Sequence, residues 1–321
     1  MTDTTRPKRY RMVSKYYKET YGEKVYKLPV ALPLTCPNRD GSAGVGGCTF
    51  CGEIGAGYEN RPAWMTVRMQ LEENIAHIGP KYKAKKFIPY YQNFSNTYLG
   101  LDDFKSYMEQ GCIDGAVGLA IATRPDCIAD EYLDILADIR DRFQKDIYIE
   151  LGLQTVNYDT LEKINRGHDL AQFIDAVLRI KRYGFNVTTH MIVNLPWDTM
   201  KDTIEGARIL SALGVDQVKL HALYIVKNTL MAKWYQEGQF TLISAEEYAD
   251  RVVNFVRHLH PDIVLQRLVG RAPEDNTLFT NWSMGWWRVQ DLIDDKLDEL
   301  DAHQGDLCDY LNGKAVRKFI D

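Results

Sequence analysis

Short apolar runs alternate with longer amphipathic segments from about residue 28 to residue 225. The short runs predict β-strands, because they are rich in β-branched and aromatic residues and are bounded by turn-forming residues. In the longer segments apolar positions recur at helical spacing, as Phe173, Val177 and Ile180 do. We predict six strands, at Lys27–Leu34, Phe87–Gln92, Ala116–Ala122, Ile147–Leu153, Asn186–Val193 and Gln217–Tyr224.

Helices are predicted between these strands, at Val67–Ile78, Ala129–Gln144, Leu170–Tyr183 and Thr199–Leu213. Repeated βα units build a parallel sheet, which either closes partly into a barrel or stays open and doubly wound. In both architectures the active groups gather at the carboxyl ends of the strands. After residue 230 the pattern becomes mainly helical, with helices at Ser244–Leu259 and Ser283–Leu300.

The pattern divides the chain into three expected regions, an N-terminal arm (1–27), a βα core (28–230) and a helical extension packed on the core (231–321). With 321 residues, of which 45% are hydrophobic, the chain is long enough to bury a full core. No apolar run approaches the length of a membrane span, so we expect no membrane contact. Six cysteines are too few for a disulfide scaffold, which favours a reducing, cytoplasmic location.

The net charge of -5 argues against a surface that binds polyanions everywhere, but the charge is unevenly distributed. Residues 1–27 carry eight basic residues against three acidic ones. Interleaved with them are Tyr10, Tyr16, Tyr17 and Tyr21. Such a segment either contacts phosphates and stacks on bases, which would make tRNA a partner, or is a solvated arm. The acidic stretch Asp291–Asp309 is interpreted as the exposed face of a C-terminal helix.

Three cysteines, Cys36, Cys48 and Cys51, lie on a glycine-rich loop directly after the first predicted strand. Thiolates are preferred ligands of both iron–sulfur clusters and zinc. A structural zinc site needs four ligands, and the next Cys or His along the sequence is His77. Three thiolates leave one iron of a 4Fe–4S cluster open to bind a substrate. We therefore favour a cluster, with a zinc knuckle completed by a distant residue as the alternative.

This loop, with Phe50 just before the last cysteine, resembles the radical S-adenosylmethionine (SAM) superfamily. The long first spacing and the CPN start are similar to the branch that contains the elongator catalytic subunit, and to the YhcC-like subfamily. The resemblance extends over nearly the whole chain, through KLPVALPLTCPNRDG, IELGLQT, LEKINRGHD, KLHALYIVKNTLMAKWYQEG and the APED and WS segments. It implies an α/β fold, a partial (β/α)6 TIM-like barrel with a helical C-terminal extension.

The resemblance also implies the cofactors, a 4Fe–4S cluster and SAM. The three thiolates would bind three irons, and the amino and carboxylate groups of SAM would chelate the fourth. An electron from a reductant such as flavodoxin or ferredoxin then cleaves SAM to methionine and a 5'-deoxyadenosyl radical, which abstracts hydrogen from the substrate.

Several residues match cofactor-binding positions of the family. Gln92 and Asn93 follow the second strand, where similar enzymes contact the methionine amino group. Glu150 and Gln154 match the ribose position, and Arg166 corresponds to the arginine that binds the methionine carboxylate. The remaining predicted contacts are Phe50, Thr123, the adenine neighbour Ile192, and Asn194. Asn194 and Trp197 both stand where the family usually has glycine.

No residue is assigned as catalytic. His190 and His221 could face the barrel interior, either as catalytic groups or as satisfied core histidines. The leading hypothesis for function is hydrogen abstraction in tRNA wobble-uridine modification. The alternatives are a radical SAM enzyme for a protein or small metabolite, and a non-catalytic iron–sulfur or zinc protein that binds RNA.

Overall fold

The structure is a computed structural model that describes residues 7–53, 55, 59–271 and 276–320. Seven parallel strands in this part of the chain form one sheet that curls into a half-barrel, in the order β1-β2-β3-β4-β5-β6-β8. Their bounds are β1 Val25–Val30, β2 Lys86–Tyr91, β3 Gly118–Thr123, β4 Asp146–Gln154, β5 Asn186–Ile192, β6 Gln217–His221 and β8 Val264–Arg267. A separate antiparallel pair joins β7 (Ile225–Val226) to β9 (Thr277–Phe279).

Helices cover the outer face of the half-barrel and its ends. Their bounds are α1 Val13–Tyr21, α2 Pro37–Asp40, α3 Val67–Tyr82, α4 Leu101–Gln110, α5 Asp130–Phe143, α6 Tyr158–Lys163, α7 Leu170–Arg182, α8 Met200–Leu213, α9 Leu230–Gln236, α10 Ala245–His258 and α11 Trp286–Glu299. None of the helices described is long and apolar enough to cross a bilayer.

The six predicted strands and the partial barrel are confirmed. The seventh strand, β8, was not predicted and lies within the segment assigned to the helical extension. It pairs in parallel with β6, with Val264 opposite Gln217 and Leu265 opposite Val218. A run of only four residues, Val264–Arg267, carries too short a pattern to be recognised as a strand. The APED segment at residues 272–275 lies outside the described residues.

Helix α7 illustrates how the sequence positions the outer layer. Asp169 caps its start by accepting from the backbone N–H of Gln172 at 2.8 Å, and the Gln172 side chain accepts from the Asp169 N–H at 3.1 Å. This capping box satisfies two of the N–H groups that a helix start leaves unpaired. One face of the helix then buries Phe173, Val177 and Ile180 completely, so that α7 packs on the sheet as its periodicity predicted.

The N-terminal arm is folded onto the core over residues 7–27. Tyr17 on α1 is buried and packs edge-on against Tyr148 of β4, with ring centroids 6.3 Å apart. Leu265 donates its backbone N–H to the carbonyl of Arg11, which places the arm beside β8. The interpretation of this region as a solvated arm is therefore wrong for the described residues. Two of its charged positions, Asp3 and Arg6, lie outside them.

The basic arm pairs with the acidic C-terminal helix. Lys8 forms an ion pair with Asp294, and Arg9 pairs with Asp298 and with Asp301. Asp294 is only 5% exposed and also accepts from the Tyr10 hydroxyl at 3.1 Å. The expectation that Asp291–Asp309 forms an exposed face holds for Asp295, Asp298, Glu299 and Asp301, whereas Asp294 is buried against the arm.

Replacing Asp294 by alanine would leave Lys8 and the Tyr10 hydroxyl without their buried acceptor. We expect the free energy of unfolding at pH 7 to fall by about 2 kcal/mol, because a partly buried group left unpaired loses its compensation. Chemical denaturation followed by circular dichroism measures this change. The control Glu299→Ala, exposed on the same helix, should stay within about 0.5 kcal/mol. Equal effects of the two substitutions would contradict a specific role for Asp294.

Candidate active site

A cavity of about 520 Å³ opens where the strands of the half-barrel end at their carboxyl termini. We call it the central cavity. It is lined by the loop after β1 and by side chains at or near the ends of β2 to β6 and β8. Among them are Cys36, Cys48 and Cys51, so the three predicted ligands share one cavity with the residues at the strand ends. This is the position that parallel α/β sheets use for their active groups.

Asn38 folds the cysteine loop back on itself. Its carbonyl accepts from the N–H of Gly47 at 2.7 Å, and its side chain donates to the carbonyl of Asn165 at 2.6 Å. A Cβ added at Gly44 would lie 2.1 Å from the Asn38 side-chain oxygen, so only glycine fits there. The loop therefore closes because its glycines permit a close approach of backbone to side chain.

N–H donors surround the thiols. Arg39 donates to the sulfur of Cys51 at 3.2 Å, and Arg166 donates to the sulfur of Cys48 at 3.4 Å. Burial raises the pKa of the Cys51 thiol, and the neighbouring charge of Cys48 adds to this shift. The Arg39 guanidinium opposes this rise in pKa by favouring negative charge on the Cys51 sulfur.

The donor set fits a 4Fe–4S cluster. Within the described ranges, no three His, Cys, Asp or Glu side chains are close enough together to hold one metal ion. A cluster makes a different demand, because its three thiolates bind three different irons. Three thiols that face one cavity, two of which accept hydrogen bonds from guanidinium groups, meet that demand.

Arg166 combines contacts with the loop and an unused donor. It donates to the carbonyl of Gly152 at 2.7 Å, and its own carbonyl accepts from Arg124 at 2.8 Å. Its Nε is buried and has no hydrogen-bond partner among the residues described. A Cβ at Gly152 would lie 2.7 Å from the Arg166 guanidinium, so a larger residue here would force that side chain to shift. A held guanidinium with a free donor fits the carboxylate of SAM.

Six of the nine predicted cofactor contacts line the central cavity: Phe50, Gln92, Thr123, Glu150, Gln154 and Arg166. Gln154 has a φ of 78°, in the left-handed region, where β4 shifts its register against β5. Such a bulge re-aims the side chain at the end of a strand and is common beside active sites.

Asn93, Ile192 and Asn194 do not line the cavity. The Asn93 side chain accepts from the N–H of Leu32 at 3.1 Å and donates to the Leu32 carbonyl at 3.0 Å. The Asn194 side chain accepts from the N–H of Leu223 at 2.6 Å. Ile192 belongs to a buried apolar cluster with Leu195 and Leu223. The predicted cofactor contacts of Asn93, Ile192 and Asn194 stay predictions.

Trp197, which stands where similar enzymes have a glycine, packs away from the cavity. Its ring contacts Trp234 and Phe240, with centroids 6.0 and 5.7 Å away. The bulk that this substitution introduces is therefore absorbed by an apolar cluster formed with α9.

Glu150 anchors a charged network inside the half-barrel. Its side chain is fully buried and pairs with Lys27, with Lys219 at 3.2 Å and with His190 at 2.7 Å. Burial by itself would raise the pKa of Glu150, but Lys219, Lys27 and His190 outweigh it and lower the pKa well below its usual value. The predicted ribose contact of Glu150 stays a prediction, since its oxygens already accept from these three groups.

Lys27 and Lys219 were not singled out by the sequence. Burial lowers the pKa of Lys219 to about 7, with Glu150 opposing this shift. The Lys219 ammonium also lies 4.6 Å from the centroid of the Tyr90 ring. The available signal was a lysine flanked by apolar residues in each of two strands, at positions where a charged side chain needs a partner.

Replacing Glu150 by glutamine keeps the size of the side chain but removes the charge that Lys27 and Lys219 share. Removing one partner of a buried ion pair is strongly destabilising, so we expect the free energy of unfolding at pH 7 to fall by about 3 kcal/mol. Chemical denaturation measures it, with exposed Glu162→Gln on α6 as the matched control. A loss no larger than the control's would show that the network contributes little to stability.

Two protein-family models and several individual proteins match this chain. The description "Radical SAM superfamily" matches residues 37–210, and "Radical_SAM C-terminal domain" matches residues 215–299. Protein YhcC of Escherichia coli K12 is 33% identical over 281 residues, which cover 87% of this chain and 89% of YhcC.

Two further similarities are more distant. A tRNA uridine(34) acetyltransferase of Dehalococcoides mccartyi is 27% identical over 128 residues, covering 39% of this chain and 27% of that protein. Among solved structures, archaeal Methanocaldococcus infernus Elp3 with residues 1–46 deleted has a TM-score of 0.66 at 14% identity, covering 87% of this chain and 64% of that one. This likeness supports the fold, the partial barrel described above.

Proposed function

Because this chain belongs to the radical SAM superfamily, whose cofactors are a 4Fe–4S cluster and SAM, we propose that Cys36, Cys48 and Cys51 bind the cluster. The observation that carries the proposal is the shared cavity, in which these thiols meet the N–H donors of Arg39 and Arg166. The cofactors, when bound, supply reductive cleavage of SAM to a 5'-deoxyadenosyl radical that abstracts hydrogen from the substrate.

The residues of the chain then hold and orient the cofactors. The free Nε of Arg166 is suited to the carboxylate of SAM, beside the cysteine loop. Gln92 and Gln154, at the ends of β2 and β4, offer amide groups on the same cavity for the polar groups of SAM. Keeping water and other hydrogen donors away from a radical requires such an enclosed position.

For the substrate we propose tRNA, with a wobble uridine as the modified nucleoside. The partial similarity to a tRNA uridine(34) acetyltransferase supports this proposal, as does the resemblance to the elongator branch. The arm is not the favoured contact, because Lys8 and Arg9 already pair with acidic groups of α11 and the turn after it. Arg39, which lines the cavity, is better situated to meet phosphates.

The proposal also includes an electron donor and a cellular location. A flavodoxin or ferredoxin would deliver the electron. The six cysteines are all free thiols, which suits a reducing cytoplasm.

Cys48→Ala removes one proposed iron ligand, so we expect the reconstituted protein to lose its 4Fe–4S absorption and electron paramagnetic resonance signals. Cys308→Ala, a free thiol outside the cavity lining, should keep them. Arg166→Ala should keep the cluster but weaken SAM binding by at least about tenfold, as loss of a charge-assisted hydrogen bond to a carboxylate implies. A complete 4Fe–4S spectrum in Cys48→Ala would mean that the ligand assignment is wrong.

The substrate proposal predicts a change in tRNA. Mass spectrometry of nucleosides from cells with and without the gene should reveal one wobble-uridine modification that disappears in the deletion strain. The wild-type gene should restore it, and a Cys48→Ala gene should not. Identical nucleoside profiles would exclude tRNA and direct the search to a protein or a small metabolite.

A further inference from the structure

Arg267, at the carboxyl end of β8, is a cation in the central cavity that has no acidic partner within residues 7–53, 55, 59–271 and 276–320. Its guanidinium lines the cavity, and among the residues described its hydrogen bond goes to Nδ1 of the His221 ring, at 2.7 Å. Its Nε is buried and has no hydrogen-bond partner in the described part of the chain. Arginine stays protonated in proteins, so this site holds a positive charge.

The acidic residues of the cavity do not neutralise this charge. Glu150, the buried one, divides its oxygens between Lys27, Lys219 and His190. Glu59, the other acidic lining residue, is exposed. A buried charge without a counter-ion is unfavourable, and an arriving anion would relieve this penalty.

A chain of hydrogen bonds fixes the orientation of Arg267. Arginine can only donate, so its contact at 2.7 Å makes Nδ1 of His221 an acceptor. At the other end Nε2 of His190 donates to the carboxylate of Glu150 at 2.7 Å. His221 therefore donates from Nε2 to Nδ1 of His190 at 3.2 Å.

This chain aligns Arg267 without adding charge. Each ring carries one proton and is neutral, which agrees with a low pKa for both groups, because burial lowers the pKa of His190 to about 4 and that of His221 well below its usual value. Neutral rings hold the guanidinium in place but do not compensate it. The positive charge of Arg267 therefore remains available to a ligand.

Arg267 is distinct from the cations beside the cysteines. Arg166 and Arg39 contact the sulfurs of Cys48 and Cys51, whereas Arg267 is held by a histidine at the end of β6. The cavity thus has one cationic region at the cysteine loop and another at β6 and β8. SAM has one carboxylate, and Arg166 is already suited to it.

We propose that Arg267 binds an oxyanion of the substrate, either a carboxylate or a phosphate, at the end of the central cavity formed by β6 and β8. The planar guanidinium fork matches both groups and can bind them through two parallel hydrogen bonds. Lys219, on the neighbouring β6, lines the same cavity. This inference rests on the proposed function, because it takes the cavity as the place where the substrate meets SAM.

The test is binding of two small anions to the full-length reconstituted protein. Titrations with [13C]acetate and with inorganic phosphate, followed by NMR line broadening, should each be measured with and without saturating SAM. We expect saturable binding that persists in the presence of SAM. Tighter binding of acetate would point to a carboxylate on the substrate, and tighter binding of phosphate to a nucleotide backbone.

Variants identify the site. Arg267→Gln should weaken binding by at least about tenfold, since the paired charge-assisted hydrogen bonds are lost. Arg271→Gln is the matched control, because it removes the same charge from the lining of the same cavity and should weaken binding less than about threefold. Arg267→Lys keeps the charge but loses the fork, and we expect an intermediate loss. If Arg267→Gln does not fold, the binding measured with Arg267→Lys decides whether Arg267 holds the anion.

Three results would overturn the inference: no saturable binding, equal weakening by Arg267→Gln and Arg271→Gln, or displacement of the anion by SAM, which would assign Arg267 to the SAM carboxylate. Unchanged binding in Arg267→Lys would also count against the inference if the glutamine variant is not folded.

Cleavage of SAM by the unaltered protein is a separate result. Anion binding without cleavage would refute the proposed function, and cleavage without Arg267-dependent binding would refute this inference.

Discussion

The ion pairs of one buried carboxylate, that of Glu150, require the sheet of the half-barrel to be curved. Glu150 on β4 pairs with Lys27 from β1 and with Lys219 from β6. Five inter-strand spacings separate β1 from β6 in the sheet order, which would be about 24 Å in a flat sheet. Two lysines at such a distance reach one carboxylate only if the sheet curls toward itself. The charged network and the curvature of the sheet therefore require each other.

The curl brings the carboxyl ends of the strands around one cavity and divides it into two regions. On one side the cysteine loop is held by Asn38 and receives N–H donors from Arg39 and Arg166. On the other side a chain of neutral histidines runs from Glu150 to Arg267. The first region suits the cofactors, and the second suits a group that the substrate brings. The same carboxylate that shapes the sheet also fixes the histidines that align Arg267.

Much of this architecture could be predicted from the sequence, because it depends on local patterns. Alternating apolar runs identified six strands, and the spacing of Cys36, Cys48 and Cys51 identified one loop with its chemistry. The strand β8 could not be recognised, since four residues carry little periodicity. The partners of Glu150 were missed because two lysines on separate strands become neighbours only after the sheet curls. Asn93 was predicted to bind cofactor, but its amide is bonded to the backbone of Leu32, a contact visible only in three dimensions.

The central claim is that the three thiols hold a cluster that cleaves SAM. Its most direct test is anaerobic reconstitution of the full chain with iron and sulfide, followed by dithionite, SAM and chromatography of the products. The account predicts that 5'-deoxyadenosine and methionine form in equal amounts and only in the presence of the reductant. A protein that carries a complete 4Fe–4S cluster, binds SAM and still forms no 5'-deoxyadenosine would contradict it.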